Sequence, residues 1–397
     1  MAKVITTELQ HSGASAANIT LDSSKNVTCE NNLQVDGNVT VTGTLPADKL
    51  TGALPAISGA SLTGITSSDT LSNRNVLDNG CFAVRQKGDI TWNTVSSNTK
   101  RIPDRWQGWT NVSGFNIAVT AGTPPIDKGF GTCIKLNNNA AVTPGTNDLI
   151  QWQTTLEGQD CQRFKFGTSE AEDLTLSFWC KASATAAGQY GIQLMYTDVG
   201  SSVHQCNQKF TAATSWTKHT ITFPGTGTAA TAGEGILNST AAGLYVYICL
   251  GAGSGKLSGS GTNTWASGGS HVWPTGQHNF LGDTDNELEF TGFQLETGST
   301  ATEYEHKSYS AELARCHRYY WEITQNFYAY QYNSSNKMAD IYHPQPMRAT
   351  PTETLTVGNG SFTHYNETIY KFMAYVGSNT SDGSAQYWTK VVFDAEL

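Results

Sequence analysis

The sequence predicts a mainly β protein whose largest domain is an antiparallel β-sandwich. Short runs in which apolar and polar residues alternate recur along the chain, and clusters of Gly, Ser, Asn and Asp separate them. Only 14% of the 397 residues are charged and 39 are glycine, a composition typical of proteins rich in strands and loops. We therefore expect β-sheets in most of the chain and one short helix.

The sandwich domain is predicted to span residues 73–309. Its number of strands, their brevity and their spacing favour antiparallel sheets. Seven strands can be identified from their alternation: Phe115–Thr120, Cys133–Asn137, Leu149–Leu156, Leu174–Ser183, Gln189–Thr197, His219–Phe223 and Leu244–Gly251.

A further strand begins near Glu287 and closes this domain. Leu288 and Phe290 alternate with polar residues, and so do Phe293 and Leu295, but the apolar phase shifts by one residue between the two pairs. Gly292 lies at the shift. A glycine at such a place predicts a β-bulge.

A helical connector is predicted over residues 310–325, with Ser310 as its N-cap. Beyond it, residues 326–397 contain four or more strand-like stretches and predict a small C-terminal β domain. The connector residues that recur at the spacing of one helix face are Leu313, Cys316, His317 and Tyr320.

The N-terminal region predicts an elongated assembly. Residues 1–17 show no clear pattern and are interpreted as an attachment arm. Residues 18–72 predict a fibre shaft, because short alternating stretches and an Asp36-Gly37 turn signal precede a repeat in which LPA and LTG each occur twice. One copy buries too little apolar surface to fold alone, so we expect a homotrimer. The alternative for the repeat is a flexible linker.

Charge and cysteine usage exclude several classes of protein. The formal net charge of -9 gives no basic surface for nucleic acid, and no apolar run is long enough to span a membrane. The start, MAKVITTELQ, lacks the apolar core of a signal peptide, so we expect assembly in the cytoplasm. The eight cysteines occur singly and without zinc-ligand spacing, which favours reduced, buried thiols; a disulfide framework is the alternative.

Three motifs carry a resemblance to a known family. NRNVLDNGCFAVRQKG (Asn73–Gly88) with IPDRWQGW (Ile102–Trp109), FQLETGSTATEYEHKSYSAELARCHRYYW (Phe293–Trp321), and KLTGALPAISGASLTGI (Lys49–Ile65) resemble segments of bacteriophage tail-fibre and other virion structural proteins. The part between the first two is similar to jelly-roll domains that resemble carbohydrate-binding modules. The resemblance implies a fibre located in the virion, which attaches to other virion proteins by its N-terminal segment and recognises a host-surface saccharide.

Candidate catalytic carboxylates lie on the closing strand. Glu287 and Glu289 project to one face, with Glu296 further along, and glycan hydrolysis uses two carboxylates that flank the scissile bond. The alternative is that they form the solvated face of a sheet. We favour this alternative, because no nucleophile, metal or phosphate-binding motif accompanies them, and we expect no enzymatic activity and no catalytic residue.

Two loops contain candidate ligand-binding residues. The polar loop at residues 259–276 predicts a glycan site made of Trp265, Trp273, His271 and Asn263, and a tryptophan lid over the sandwich is the alternative. The turn before the closing strand contains Asp283, Asp285 and Asn286. The resemblance to carbohydrate-binding modules implies structural calcium there, whereas an ordinary Asp/Asn-rich turn is the alternative.

Three functions follow from these observations. The first is a trimeric, non-catalytic receptor-binding fibre, and the second is a decoration protein of the virion, such as a head fibre, without a receptor role. A glycan depolymerase is the third. No cofactor is implied other than the calcium ion. The sequence leaves open whether the fibre is on the head or the tail, and which sugar and host it recognises.

Overall fold

The computed structural model describes residues 8–9, 19–21, 27–29, 73–93, 100–101, 103–226, 235–257, 263–268, 272–328, 330–331, 337–357, 362–376 and 386–397. The chain divides into two compact units, Met1–Thr66 and Ser67–Leu397. In the first, β1 (Glu8–Leu9), β2 (Ile19–Leu21) and β3 (Val27–Cys29) form an antiparallel sheet in that order. The β1 strand lies within the predicted arm. The Asp36-Gly37 turn and the LPA/LTG repeat lie outside the described residues, and the homotrimer stays a prediction.

The second unit contains the β-sandwich, an arrangement consistent with the predicted jelly roll. Its six-stranded antiparallel sheet has the order β13-β10-β16-β8-β7-β4 and its seven-stranded sheet the order β15-β12-β11-β14-β9-β6-β5. The strands of the first sheet are β4 (Ile90–Trp92), β7 (Ile117–Ala121), β8 (Ile134–Asn138), β10 (Leu174–Ala182), β13 (Thr217–Phe223) and β16 (Glu287–Thr297). Those of the second are β5 (Lys100–Arg101), β6 (Trp106–Thr110), β9 (Leu149–Glu157), β11 (Gly188–Thr197), β12 (Val203–Ala212), β14 (Ala242–Ala252) and β15 (Trp265–Ser267).

Aromatic rings fill the space between the two sheets. Trp106 and Trp152 stack with ring centroids 4.5 Å apart, and Phe178 stacks on Phe293 at 4.8 Å. All four side chains are buried, and such pairs contribute beyond their buried area. The seven strands identified in the sequence are all present, whereas β12 is not apparent in the sequence because its residues, VHQCNQKFTA, are mostly polar.

The β-bulge predicted at Gly292 is confirmed. On the neighbouring strand, Ser177 pairs with Gln294 and Trp179 pairs with Thr291, so β16 carries one extra residue at this place. Gly292 has φ +67°, a conformation that favours glycine. The bulge lets the apolar residues on both sides of it face the same core.

The helix, α1 (Tyr309–His317), differs from the prediction at both ends. Ser308, not Ser310, is the N-cap, and its side chain accepts a hydrogen bond from the Ala311 N–H. The connector is also shorter than residues 310–325, because a strand begins at Tyr320. The buried side chains of the helix are Glu312 and Cys316, and the predicted apolar face is not buried as a whole. Glu312 is buried because its carboxylate accepts a hydrogen bond from a buried backbone N–H.

The C-terminal strands form two further antiparallel sheets, as the strand-like stretches indicate. They begin before the predicted boundary at residue 326 and enclose a separate core that includes Trp321, Phe372 and Phe393. The three-stranded sheet has the order β17-β23-β20, with β17 (Tyr320–Tyr328), β20 (Thr352–Val357) and β23 (Gln386–Asp394). The four-stranded sheet has the order β18-β19-β22-β21, with β18 (Tyr330–Gln331), β19 (Lys337–Tyr342), β21 (Phe362–Glu367) and β22 (Lys371–Val376).

An ion network with a buried centre, here called the clasp, joins the sandwich, the helix and the C-terminal sheets. It consists of Asp78, Arg105, Arg315 and Glu396. The Arg105 guanidinium lies 2.9 Å from Glu396 and 3.3 Å from Asp78, and it donates to the Thr155 carbonyl at 2.7 Å. Arg315 lies 3.1 Å from the second oxygen of Asp78. The motifs that carry the family resemblance therefore hold these parts together.

The charge state of the clasp follows from its surroundings. Burial raises the pKa of Asp78 and of Glu396, but the nearby cations outweigh it: Arg105 and Arg315 act on Asp78, and Arg105 and Lys87 act on Glu396. Both carboxyl groups therefore have a pKa below their ordinary values and remain ionised at neutral pH.

The seven cysteines from Cys81 to Cys316 form no disulfide, and all of them except Cys81 are buried. Burial raises the pKa of the Cys133 thiol to about 12, with the Glu289 carboxylate adding to the shift. These thiols are therefore small apolar core groups, as the sequence predicts. In the described part of the chain, no helix is long and apolar enough to cross a membrane.

Candidate functional site

The outward face of the seven-stranded sheet presents a row of polar and aromatic side chains. Strand pairing places Gln107 opposite Gln153, Gln153 opposite Tyr247, Tyr247 opposite Gln193, and Gln193 opposite Asn207. We call these five residues the polar row. Their neighbours along each strand point into the aromatic core, because side chains alternate between the two faces of a strand. The sheet therefore carries four carboxamides and a tyrosine in line across five strands.

A cleft of about 320 Å³ lies over one end of the polar row. The rings of Tyr245 and Tyr247 form its aromatic side; they are stacked, with centroids 5.4 Å apart and planes 10° apart. Trp109 pairs with Gln151 across the β6–β9 ladder. The residues that line the cleft are Gln107, Trp109, Gln151, Gln153, Tyr245, Tyr247 and Leu397.

Hydrogen bonds fix the carboxamides of this cleft. Arg101 Nη1 donates to Gln107 Oε1 at 3.4 Å and to the Leu397 carbonyl at 3.2 Å. Gln151 Nε2 donates to Gln153 Oε1 at 3.2 Å. Gln151 Oε1 is buried and has no hydrogen-bond partner. A buried acceptor without a donor is unfavourable by roughly 1–3 kcal/mol, so a donor group that reached this oxygen would be stabilising.

The other end of the polar row is held by its own hydrogen bonds. Gln193 Nε2 donates to Gln205 Oε1 at 3.0 Å and to Asn207 Oδ1 at 2.6 Å. Trp273 packs nearby in a small cluster with Tyr247 and Cys249 on the outward face. Side chains on rigid strands with fixed amide orientations form a preorganised surface, which lowers the entropic cost of binding.

The structure does not bring the predicted loop site together as a ligand platform. Trp273 is fully buried in the outward-face cluster, so its ring offers no free face to a sugar. Trp265 is half-buried: its Nε1 donates to the Pro224 carbonyl at 2.7 Å, and its ring meets Phe166 edge-on. These positions favour the alternative of a tryptophan lid.

Asn263 and His271 add no further support to the loop site. The Asn263 side chain donates to the Thr222 carbonyl at 3.0 Å and accepts a weak hydrogen bond from Cys206. Its amide is therefore used in holding the loop to the sandwich. His271 lies outside the described residues, and its role stays a prediction.

The calcium candidates form a turn. Asp283 Oδ1 accepts the Asp285 N–H at 2.9 Å, which is an Asx-turn, and Asn286 Nδ2 donates to the Phe280 carbonyl at 2.8 Å. Asp283 and Asp285 are exposed, whereas Asn286 is buried. Among the described residues, no three His, Cys, Asp or Glu side chains are grouped to hold a metal ion. The arrangement favours the ordinary turn.

The candidate catalytic carboxylates are held by ion pairs or hydrogen bonds, and two of them are not on a solvated face. Glu289 lies 2.9 Å from Lys181 and accepts the Thr123 N–H at 2.7 Å. Glu296 accepts both polar hydrogens of Thr302, at 2.9 and 2.7 Å. Both are buried, because segments outside the strands cover this side of the sheet, so the predicted solvated face is wrong for them.

Glu287 is the more exposed carboxylate of the proposed dyad, and it pairs with Lys135 at 2.9 Å. Each member of the dyad therefore has its own lysine. In the described structure this pattern stabilises the outer face of the six-stranded sheet and leaves no pair of carboxylates flanking an open cleft.

Comparison with known proteins gives no family. No family model and no curated protein matches the chain. Solved structures similar to it include a family 11 carbohydrate-binding module of a Clostridium thermocellum cellulase (12% identity, TM-score 0.27, 53% of this chain and 99% of that one). A second is a CBM22 tandem domain from Paenibacillus barcinonensis (10% identity, TM-score 0.25, 78% of this chain and 89% of that one). A third is the enzymatically active domain of bacteriophage CBA120 tailspike protein 4 (10% identity, TM-score 0.28, 56% of this chain and 21% of that one). At these TM-scores the similarities assign neither a family nor a ligand.

The sequence patterns did not predict the cleft over the polar row. The signal that could have indicated it is the outward half of the strand alternation, for instance Gln151 and Gln153 on either side of Trp152 in LIQWQTTL. A polar residue at an outward position is ordinary on any half-exposed strand, so this signal is weak. Only the strand order, which places β6, β9 and β14 side by side, brings the glutamines to the tyrosines.

Proposed function

We propose that the protein is a non-catalytic fibre protein of a bacteriophage particle that binds a host-surface saccharide in the cleft over the polar row. The observation that carries the saccharide assignment is the buried, partnerless Gln151 Oε1 in a cleft lined by carboxamides and aromatic rings. Saccharides offer hydroxyl groups to such amides and apolar C–H faces to such rings. Small-molecule sites in general combine apolar walls with a few fixed polar groups.

The extent of the polar row indicates a ligand longer than one sugar. Neighbouring strands lie about 4.8 Å apart, so the row from Gln107 to Asn207 spans roughly 19 Å. A chain of several pyranose units that lies across the strands would contact each carboxamide in turn. The Tyr245–Tyr247 pair and Trp109 would then supply stacking surfaces at the cleft end of the row.

The fibre and virion parts of the proposal depend on the sequence motifs at residues 49–65, 73–88 with 102–109, and 293–321. Attachment through the N-terminal segment, the homotrimer and the location in the virion are all part of it. The non-catalytic part of the proposal is supported by the ion pairs of Glu287 and Glu289, because each member of this carboxylate pair on the six-stranded sheet is held by its own lysine. Reducing-sugar release from host polysaccharide would favour the depolymerase instead.

The test is saccharide binding by paired variants of the full chain. Trp109→Ala and Gln151→Ala are each expected to weaken binding to host polysaccharide at least tenfold, because they remove a stacking surface and a hydrogen-bond acceptor. Trp265→Phe, on the lid, is the matched control and should leave binding unchanged. A loss confined to the Trp265 variant would place the site on the loop, and undiminished binding in both cleft variants would refute the cleft.

A competition experiment separates the fibre from the decoration protein. Purified protein is expected to block adsorption of the phage to its host, and the Trp109→Ala protein is expected not to. Polysaccharide binding without competition would assign the decoration role.

A further inference from the structure

The cleft is lined by side chains without formal charge. Gln107, Gln151 and Gln153 are neutral amides, and the remaining lining side chains are aromatic or aliphatic. Arg101, which donates to the cleft residue Gln107, is also bonded to the Leu397 carbonyl and paired with Asp394 at 3.5 Å. A sugar carboxylate would therefore meet no unpaired cationic side chain in this lining, which is unfavourable.

The hydrogen-bonding character of the cleft can be assigned from its partners. Arginine only donates, so Gln107 must direct Oε1 to Arg101 and keep its Nε2 for another partner. The Gln151–Gln153 pair shares one N–H···O bond. Whichever glutamine is the donor, the pair keeps one carbonyl oxygen and one amide NH₂ for a ligand. The cleft thus offers one acceptor beside amide donors, with apolar surface next to them.

We infer that the saccharide bound in this cleft carries an acetamido group that meets Gln151 and Gln153. This inference rests on the proposed function and names its ligand class. An acetamido N–H satisfies the partnerless carbonyl oxygen, its carbonyl accepts from a glutamine NH₂, and its methyl group packs on the tyrosine rings or on Leu397. A lone hydroxyl supplies no methyl group, and a free amine supplies no acceptor when it is protonated.

The test uses matched oligosaccharides on an array, each present with an acetamido group, with a free amine and with a hydroxyl at the same carbon. The full chain is expected to bind the acetamido members at least tenfold more tightly than their two counterparts. Equal binding of acetamido and hydroxyl members, or preference for charged members, overturns the inference but leaves the proposed function intact. Failure to bind any array member or host polysaccharide overturns the proposed function itself.

Two variants test whether these glutamines set the preference. Gln151→Leu should lower the acetamido-to-hydroxyl affinity ratio towards one, because leucine has no amide to form hydrogen bonds with the acetamido group. Trp109→Ala is the control: it should weaken both members by the same factor and leave the ratio unchanged. Melting temperatures equal to that of the unmodified protein establish that both variants are folded. An unchanged ratio in the Gln151→Leu protein, with weaker binding overall, would contradict the assignment of Gln151.

Discussion

Replacing Arg105 by methionine tests whether the clasp holds the second unit together. The guanidinium of Arg105 is almost fully buried, bonds two carboxylates and a backbone carbonyl, and lies 3.3 Å above the centre of the Tyr319 ring. Methionine fills a similar volume without charge or donors. The substitution therefore removes the electrostatic and hydrogen-bonding contribution with little change in packing.

The expected loss follows from what remains around the two carboxylates. Asp78 keeps Arg315, and Glu396 keeps Lys87 at 3.7 Å, so neither is left without a cation. Removing one partner of a buried ion pair nevertheless costs about 3–5 kcal/mol. We expect a decrease of this size in the free energy of unfolding, a large fraction of the roughly 5–15 kcal/mol typical of a domain.

The assay is urea denaturation of the full chain, followed by tryptophan fluorescence. Arg315→Met is the matched control: this side chain is 41% exposed, so its loss should cost about 1 kcal/mol or less. A decrease below 1 kcal/mol for Arg105→Met, or equal losses for both variants, would refute the assigned role of the clasp.

The dependence on pH separates lost charge interactions from a packing defect. The pKa values of Asp78 and Glu396 are lowered in the folded protein, so their stabilising contribution is present above the ordinary values of 3.8 and 4.5 and is lost as pH falls through the folded values. The difference between the unmodified protein and Arg105→Met should therefore narrow in acid. A packing defect would give a difference that does not change with pH.

Three further predictions concern the bulge and two buried titratable groups. Gly292→Ala should lower the free energy of unfolding by about 2 kcal/mol or more, because φ is positive and a Cβ would lie 2.5 Å from the Phe130 ring. An unchanged midpoint of urea denaturation would argue against the bulge. Burial lowers the pKa of His219 to about 4, so stability should fall as pH drops from 6.5 towards 4. His219→Phe should reduce this dependence of the melting temperature on pH, and an identical dependence in the variant would contradict the burial of His219. Burial and the hydrogen bond that the protonated Glu367 carboxyl group donates to Glu353 raise the pKa of Glu367 to about 9, so stability is lost as pH rises from 4.5 to 9. Glu367→Gln should therefore gain about 1 kcal/mol at pH 8, allowing for solvent screening; no gain there would mean that the carboxyl group is already ionised.

Several features could be predicted because their causes are local. The bulge at Gly292 follows from a shift in apolar phase along one strand, and the seven sandwich strands follow from alternation between turn residues. Free cysteines follow from their isolated positions in apolar strands. Each of these depends on residues close together in the chain, where dihedral preferences and side-chain periodicity act.

Other predictions failed because distant segments decide burial. Alternation predicts a solvated face for Glu289 and Glu296, yet both are buried. A loop remote in sequence covers Glu289 and supplies Thr123, and the segment just after the strand folds back on Glu296 and supplies Thr302. Tryptophans in a polar loop suggest exposure, yet Trp273 packs onto strands far from it in the chain. The helix buries Glu312 rather than Leu313, because the Glu312 carboxylate accepts a hydrogen bond from a buried backbone N–H of the first motif.

The sequence by itself determined the β class, most strands and the motifs that bracket the sandwich, because these depend on periodicity and turn chemistry. The tertiary structure alone decided where a ligand could bind. Gln107, Gln151 and Tyr247 belong to three strands that are not consecutive in the chain, and their outward positions look ordinary until the strand order makes them neighbours. The side chains that surround a carboxamide in the folded protein determine whether all of its hydrogen-bonding atoms have partners within the protein.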